Sequence, residues 1–181
     1  MASVDLAGAN VAFLLTNGFE DRELNGPMAT VLDAGGKCTI ISPQSGVITG
    51  KRGEPVRVDL PVDLAAARMF DALILPGGHI NSGHLRESEY AIGFVRDFME
   101  QNKPVGAICH GGWILIDAKV IRGRTVTSNP ALKDAFQHAG ARWLDQEVVI
   151  DRNLFTSRNP DDLPAFEKAL VIEMHEFAGI G

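Results

Sequence analysis

The chain alternates short, largely apolar runs with segments of helical character, and this alternation is the feature that most limits its possible folds. Four runs have the length and composition of buried strands: Asn10–Leu15, Lys37–Ser42, Asp71–Leu75 and Val105–Ile108. Between the last two runs, residues Glu87–Gln101 carry apolar side chains at helical spacing. Buried strands that alternate with helices are typical of a parallel sheet covered on both faces. The sequence therefore predicts an α/β fold, a doubly wound sandwich with a mostly parallel sheet.

Three segments qualify this pattern. Residues Val47–Asp59 contain two β-prone pieces joined by Gly50–Gly53, which predicts a small β-hairpin excursion. Pro27 is expected to begin or kink the first helix, which runs to about Ala34. Residues Pro76–His84 follow the third strand and are expected to form a loop.

Length and charge limit the classes of protein to which the chain can belong. With 181 residues, 45% of them hydrophobic, one domain is predicted over residues 1–181. The net charge of −6 and the scattered Lys and Arg residues argue against a nucleic-acid partner. No window is long and apolar enough to span a bilayer, and the first ten residues lack the pattern of a signal peptide. The two cysteines lie in unlike contexts and suggest no disulfide, so we expect a cytoplasmic protein without a membrane partner.

A strand-to-helix elbow is predicted at Cys109. The segment Ala107–Gly112 reads AICHGG, which places small residues on both sides of a nucleophile. Hydrolases use such an elbow because the turn is so sharp that only small side chains fit around the nucleophile. Backbone N–H groups and the positive end of a helix dipole stabilise a thiolate or an oxyanion there. We therefore interpret Cys109 as a reactive thiol, with an ordinary buried thiol as the alternative, and place Cys38 in the core.

Two further side chains are candidates for the same pocket, because ligands bind at the carboxyl ends of strands in folds of this class. Glu20 could stabilise a helix start, the role assigned to Asp21 and Glu23, or could hold a raised pKa and donate a hydrogen bond to the sulfur of Cys109. His110 could act as a base, or could pack beneath the elbow or line a subunit interface. Adjacent residues such as Cys109 and His110 face each other only where the backbone is irregular.

Backbone donors complete the predicted site. Gly77 and Gly78 either form a tight turn or present their N–H groups to an oxyanion, as the N–H of His110 could also do. His79 and His84 match no familiar ligand spacing, so neither a metal nor another cofactor is expected.

Several motifs together resemble one known family. They are Phe19-Glu20-Asp21 with Glu23-Leu24, Ile48-Thr49-Gly50-Lys51, Leu75-Pro76-Gly77-Gly78, Ala107-Ile108-Cys109-His110-Gly111, and Ser157-Arg158 with Pro160, Asp162 and Leu163. This set is similar to the PfpI family of intracellular cysteine peptidases and general stress proteins. That family lies within the class I glutamine-amidotransferase-like superfamily, which also contains the parkinsonism-associated deglycase. The similarity extends from about Val11 to Phe177.

The resemblance implies a flavodoxin-like sandwich and a homo-oligomer, either a dimer or a hexamer. It further implies Cys109 as the catalytic nucleophile, Glu20 as the protonated partner of its sulfur and His110 as the base. The activities known in the family include peptidase, glyoxalase or deglycase, chaperone and redox sensor.

One segment departs from the family pattern. The peptidases carry an acid after the two glycines, in a pattern like GGHxPDxLR, which orients the histidine of a neighbouring subunit. Here Gly77–Arg86 reads GGHINSGHLR, with no Pro, Asp or Glu. Loss of an orienting acid lowers the rate of a triad enzyme by several orders of magnitude. Peptidase activity is therefore the family activity that this sequence supports least.

These observations predict a cytosolic stress-response protein with a reactive Cys109. It would act on small electrophiles such as aldehydes, or on glycated protein, or respond to oxidation. An intracellular cysteine peptidase using Cys109 and His110, and a non-catalytic redox sensor or chaperone, are the alternatives. The expected partners are a small-molecule or protein substrate and further copies of the chain.

Overall fold

The computed structural model describes residues 5–177. These residues form a seven-stranded sheet, two two-stranded sheets and six α-helices. The single domain predicted for residues 1–181 extends beyond them at both ends. The prediction that the first ten residues form no signal peptide concerns in part residues 1–4, which lie outside the described residues.

The strands are β1 (Asn10–Leu14), β2 (Lys37–Ser42), β3 (Val47–Thr49), β4 (Pro55–Arg57), β5 (Leu60–Pro61), β6 (Ala72–Leu75), β7 (Val105–Ile108), β8 (Thr125–Val126), β9 (Arg142–Trp143), β10 (Val149–Asp151) and β11 (Leu154–Ser157). The α-helices are α1 (Asp21–Asp33), α2 (His79–Leu85), α3 (Glu89–Glu100), α4 (Trp113–Asp117), α5 (Lys133–His138) and α6 (Leu163–Phe177). Short 3₁₀ turns occupy Val62–Leu64, Ala67–Met69, Pro130–Leu132 and Pro160–Asp162.

The main sheet has the order β10-β11-β7-β6-β1-β2-β5. All its neighbouring strands are parallel except β10 and β11, which are antiparallel. Its five central strands follow the 2-1-3-4-5 order of flavodoxin-like folds. The predicted doubly wound, flavodoxin-like sandwich is therefore confirmed, and so is the hairpin excursion, which is the antiparallel pair β3–β4.

Alternate side chains of each strand pack on opposite faces of the sheet, because successive residues of a strand point in opposite directions. Ala12 and Leu14 of β1 belong to one apolar cluster, which includes side chains of α3, α4 and α5. Val11 and Phe13 belong to a second cluster, which includes side chains of α1 and α6. The sheet is thus buried on both faces. The carboxyl ends of its parallel strands remain available for a functional site.

The structure excludes one of the two alternatives for Pro27, that it begins the first helix, and corrects one predicted loop. The first helix begins at Asp21, and Pro27 lies inside it without ending it, since a proline removes only one hydrogen bond and Gly26 before it tolerates the local crowding. The segment expected to be a loop after β6 contains α2. Its buried face includes the polar Asn81, fully buried, whose Nδ2 donates to the carbonyls of Pro76 and Gly77 at 3.1 Å each.

None of the helices within residues 5–177 is long and apolar enough to cross a membrane.

A buried acid in α6 makes the stability of the fold depend on pH. Glu173 is 2% exposed, its Oε2 has no hydrogen-bond partner within residues 5–177, and burial followed by the charge of Glu176 raises its pKa from 4.5 to about 7. Below pH 4.5 the folded and unfolded chains both keep this proton. As the pH rises to about 7 the unfolded chain loses it first, so stability falls over this window, by an amount on the order of 3 kcal/mol.

We therefore expect Glu173→Gln to lose less stability between pH 4.5 and pH 8 than the parent. Urea unfolding at both pH values measures the difference. The substitution at exposed Glu87, Glu87→Gln, serves as the control and should leave the pH dependence unchanged. An equal loss of stability in the parent and in Glu173→Gln would contradict the prediction.

Candidate active site

Cys109 lies on a sharp elbow between β7 and α4, as predicted. Its backbone is in the left-handed region with φ of 62°, a conformation that non-glycine residues rarely adopt. Hydrogen bonds hold it there: its N–H donates to the carbonyl of Ser157 at 3.0 Å, and its carbonyl accepts from the N–H of Asn129 at 3.0 Å. Gly111 allows the turn because a Cβ there would overlap the carbonyl oxygen of Leu75. The fold thus imposes strained backbone on the candidate nucleophile.

The thiol of Cys109 is protonated at neutral pH in the resting protein. Burial, followed by the charge of Glu23, raises its pKa to about 11. The backbone N–H groups of His110 and Gly78 and the amide of Asn129 act in the opposite direction and stabilise the thiolate. Cys38 has no such donors, and burial raises its pKa to about 12.

The stabilisation of a thiolate comes from local donors rather than from a helix dipole. Helix α4 has only five residues, so its dipole is small. The Nδ2 of Asn129 lies 3.8 Å from Sγ of Cys109. A base that removes the proton would therefore leave a sulfur anion surrounded by N–H groups.

His110 is placed to be that base. Its Nδ1 lies 3.4 Å from Sγ of Cys109, because the irregular elbow turns the two adjacent side chains toward one another. Burial, together with the neighbouring His79 and the charge of Lys51, lowers the pKa of His110, so the ring is neutral at pH 7 and can accept a proton. The rings of His79 and Trp113 pack beside it, with centroids 5.2 and 6.4 Å away.

The expectation that Glu20 is the protonated partner of the sulfur is wrong. Its carboxylate is surrounded by cations: Oε1 lies 3.3 Å from Nε of Arg22 and 3.2 Å from Nε of Arg52, and Oε2 lies 3.5 Å from Nζ of Lys51. Burial alone would raise the pKa of Glu20, but the hydrogen bonds from Arg22 and Arg52 outweigh it and the pKa is lowered. Glu20 is therefore an ionised N-cap of α1.

Glu23 occupies the position expected of Glu20. It is fully buried, and its Oε1 accepts the N–H of Gly77 at 2.9 Å. Its Oε2 has no partner within residues 5–177. Burial raises its pKa to about 8, so at neutral pH the carboxyl holds a proton that it can donate. A Cβ on Gly77 would overlap both Glu23 and Cys109, which shows how closely the two side chains approach.

The two glycines after β6 have separate roles. The N–H of Gly77 is used by Glu23, so Gly77 is not an oxyanion donor and that expectation is wrong. The N–H of Gly78 points to the sulfur of Cys109 instead. Gly78 has φ of 100°, and a Cβ there would overlap the carbonyl of Gly18, so only glycine fits.

These side chains share a cavity of about 270 Å³, lined by Glu20, Arg22, Glu23, Lys51, Gly78, His79, Cys109, His110, Asn129, Asn159 and Pro160. A larger cavity, of about 540 Å³, lies elsewhere around Ile116 and His138 and contains neither cysteine. Within residues 5–177 no group of three or more His, Cys, Asp or Glu side chains is arranged to hold a metal ion.

Sequence reasoning missed several members of the cavity, among them Arg22, Glu23, Lys51, Asn129 and Asn159. Glu23 was assigned to the helix dipole, and Lys51 lay in the turn of the predicted hairpin. Asn129 does cap a 3₁₀ turn, since its Oδ1 accepts the N–H of Ala131 at 2.9 Å, but its Nδ2 faces Cys109. The helical spacing of Glu23 and Pro27, four residues apart on the buried side of α1, was the signal that could have identified Glu23.

Comparison with known proteins identifies relatives of the chain. The chain matches the DJ-1/PfpI family over residues 9–173. It is 45% identical over 161 residues to Deglycase PH1704 of Pyrococcus horikoshii, covering 89% of this chain and 96% of that protein. It is 40% identical over 164 residues to General stress protein 18 of Bacillus subtilis, covering 89% and 95% respectively.

A solved structure is also similar. It is a two-domain protein from Anabaena variabilis that contains dj-1/thij/pfpi-like and ferritin-like domains. The TM-score is 0.89 at 34% identity, and the match covers 94% of this chain and 49% of that longer chain. Because the family match spans most of the residues and includes every element that builds the cavity, the chain belongs to the DJ-1/PfpI family.

Proposed function

We propose that this protein is a cytoplasmic, cysteine-dependent enzyme of the stress response that converts small reactive aldehydes or their adducts on protein. One observation supports this most. A thiol 3.4 Å from a neutral imidazole shares a cavity with a buried carboxyl that holds its proton at pH 7. The names of the relatives, a deglycase and a general stress protein, point to the same chemistry.

The first step adds S–H across the aldehyde carbonyl. The sulfur of Cys109 bonds to the carbonyl carbon while Nδ1 of His110 takes the thiol proton. The π pair of the carbonyl moves to its oxygen, which accepts hydrogen bonds from nearby N–H groups and then receives the proton from His110. Glu23 keeps its own proton and donates a hydrogen bond to the sulfur, which avoids placing two negative charges side by side. The product is a hemithioacetal.

For a 2-oxo aldehyde the reaction can continue without an external oxidant. The former aldehyde carbon loses its C–H proton to a base, and the adjacent carbonyl carbon gains a proton. The hydroxyl of the hemithioacetal loses its proton as its C=O bond forms, and the oxygen of the adjacent carbonyl gains a proton. The first carbon is thereby oxidised to a thioester and the second is reduced to an alcohol. Water then hydrolyses the thioester, which releases a 2-hydroxy carboxylate and restores the thiol of Cys109.

Peptide cleavage is less well supported. A leaving amine must be protonated by an oriented acid, and an oriented histidine in a triad is held by a carboxylate. Within residues 5–177 the hydrogen-bonding contact of the His110 ring is with Cys109, and no carboxylate holds it. A redox response is the better alternative, because the free oxygen of Glu23 and the surrounding N–H groups could stabilise oxidised sulfur.

The resemblance also leads us to propose a homo-oligomer, either a dimer or a hexamer. Light scattering of the purified protein measures the assembly.

The proposed activity is tested by following methylglyoxal and a fluorogenic peptide with the parent and with Cys109→Ala. We expect the parent to convert methylglyoxal to a 2-hydroxy acid, Cys109→Ala to show only background, and both to leave the peptide essentially uncleaved. Efficient peptide cleavage that depends on Cys109 would establish a peptidase instead. If neither substrate is turned over but peroxide oxidises Cys109 selectively, the redox response replaces the enzyme.

A further inference from the structure

A group of basic side chains lies at the mouth of the cavity. Arg22, Lys51 and Arg52 all approach the carboxylate of Glu20, at 3.2 to 3.5 Å. Arg22 and Lys51 also line the cavity that contains Cys109. One carboxylate therefore faces three cations, and we call these three side chains the basic rim.

The three cations of the basic rim outnumber the two carboxylates that are hydrogen-bonded to these residues. Besides Glu20, Asp21 contacts the basic rim, and its Oδ1 accepts the backbone N–H of Arg52 at 3.3 Å. The three cations against Glu20 and Asp21 leave a net charge of +1. Glu23 adds no negative charge below its pKa of about 8.

The basic rim still has donors to offer. Arg22 uses Nε for Glu20, and its two terminal nitrogens donate to no acceptor within residues 5–177. Lys51 is held at 3.5 Å from Glu20 by a single contact, with more than half of its side chain exposed. The charge of Lys51 also reaches the reaction centre, since it contributes to lowering the pKa of His110.

We infer that the preferred substrates carry a carboxylate in addition to the reactive aldehyde and its adjacent carbonyl, and that Arg22 and Lys51 bind this carboxylate. A guanidinium fork matches the geometry of a carboxylate, and an ammonium adds a point charge. Glu20 positions both cations at the mouth, next to Cys109. This inference rests on the proposed function, because it assigns a substrate class to the same thiol.

Two alkylating reagents isolate the effect of charge. Iodoacetate and iodoacetamide present the same electrophilic carbon, but only iodoacetate carries a carboxylate. The rate constant of each reagent with Cys109 is measured by mass spectrometry. The same two rate constants are measured with free N-acetylcysteine at equal thiolate concentration. We expect the ratio of the iodoacetate rate constant to the iodoacetamide rate constant to be roughly three- to tenfold higher for Cys109 than for the free thiol at low salt. In ~0.5 M salt the two ratios should become similar.

Substitutions test which side chains are responsible. Arg22→Gln and Lys51→Gln should each lower the ratio at Cys109, and their combination should bring it close to that of the free thiol. Lys37→Gln removes an exposed cation at the start of β2, outside the cavity, and should leave the ratio unchanged.

The outcomes separate this inference from the proposed function. If Cys109 reacts with both reagents at the free-thiol ratio, or if the double variant keeps the parent ratio, the carboxylate inference is overturned and the nucleophile stands. If Cys109 reacts with neither reagent, the proposed function fails and the inference fails with it. A high ratio that the double variant abolishes supports both.

Discussion

Glu23→Gln is expected to lower the Cys109-dependent turnover of small aldehydes by about 10- to 100-fold, because a hydrogen bond to a charged sulfur contributes roughly 1.5–3 kcal/mol. Gln keeps the oxygen that accepts the N–H of Gly77, so the local structure should persist. Its amide donates only a weaker hydrogen bond to the sulfur than the carboxylic acid does. In the parent, turnover that needs the protonated carboxyl should fall as the pH rises through about 8, and the variant should lack this dependence.

Steady-state kinetics from pH 6 to 9 and thermal unfolding of both proteins provide the measurement. Glu173→Gln is the matched control, since it makes the same change at another buried carboxyl with a raised pKa that does not line the cavity. Its turnover should stay within about twofold of the parent. A loss of less than threefold in Glu23→Gln, with an unchanged pH profile, would remove Glu23 from the reaction.

Gly111→Ala is expected to lower the free energy of unfolding by about 3 kcal/mol or more, which corresponds to roughly 6–12 °C in Tm for a chain of this size. Its Cβ would overlap the carbonyl oxygen of Leu75 and would lie 2.9 Å from that of Ile108. Both obstacles are backbone atoms of the sheet, so neither can rotate away. The elbow would have to open, and Cys109 would lose its position relative to His110.

Gly93→Ala is the control for this substitution. Gly93 lies in α3, and a Cβ there meets no atom within 4 Å. Alanine favours a helix over glycine by about 1 kcal/mol, so Gly93→Ala should raise Tm slightly. Equal melting temperatures for Gly111→Ala and the parent would show that the elbow is not constrained by this contact.

The fold was predictable where apolar runs alternate with helical segments, because a strand that is buried on both faces of the sheet consists of a continuous run of hydrophobic residues. Strands β1, β2, β6 and β7 lie within one residue of their predicted ends. Helix α2 was missed for a physical reason: its buried face includes Asn81 and Ser82, which contribute no apolar stripe. The side chain of Asn81 is satisfied by the backbone groups of Thr16, Pro76 and Gly77, which a sequence pattern does not reveal.

The site was predictable only in part. The small residues around Cys109 reflect local backbone geometry, which the sequence records directly. The choice between Glu20 and Glu23 depends on which face of α1 each side chain occupies, and the sequence left open whether Pro27 begins or kinks that helix. Asn129 reaches Cys109 across twenty residues of chain, a contact that arises from tertiary folding and has no local pattern.

The carboxyl ends of β1 and β6 are joined by hydrogen bonds that do not involve a substrate. The N–H of Thr16 donates to Oδ1 of Asn81 at 2.7 Å, and the N–H of Glu20 donates to the carbonyl of Gly77 at 3.0 Å. Together with the bond from Gly77 to Glu23, these contacts join the two strand ends into one rigid frame. The entropic cost of ordering the reactive groups is therefore met during folding, and the binding of a substrate need not offset this cost a second time.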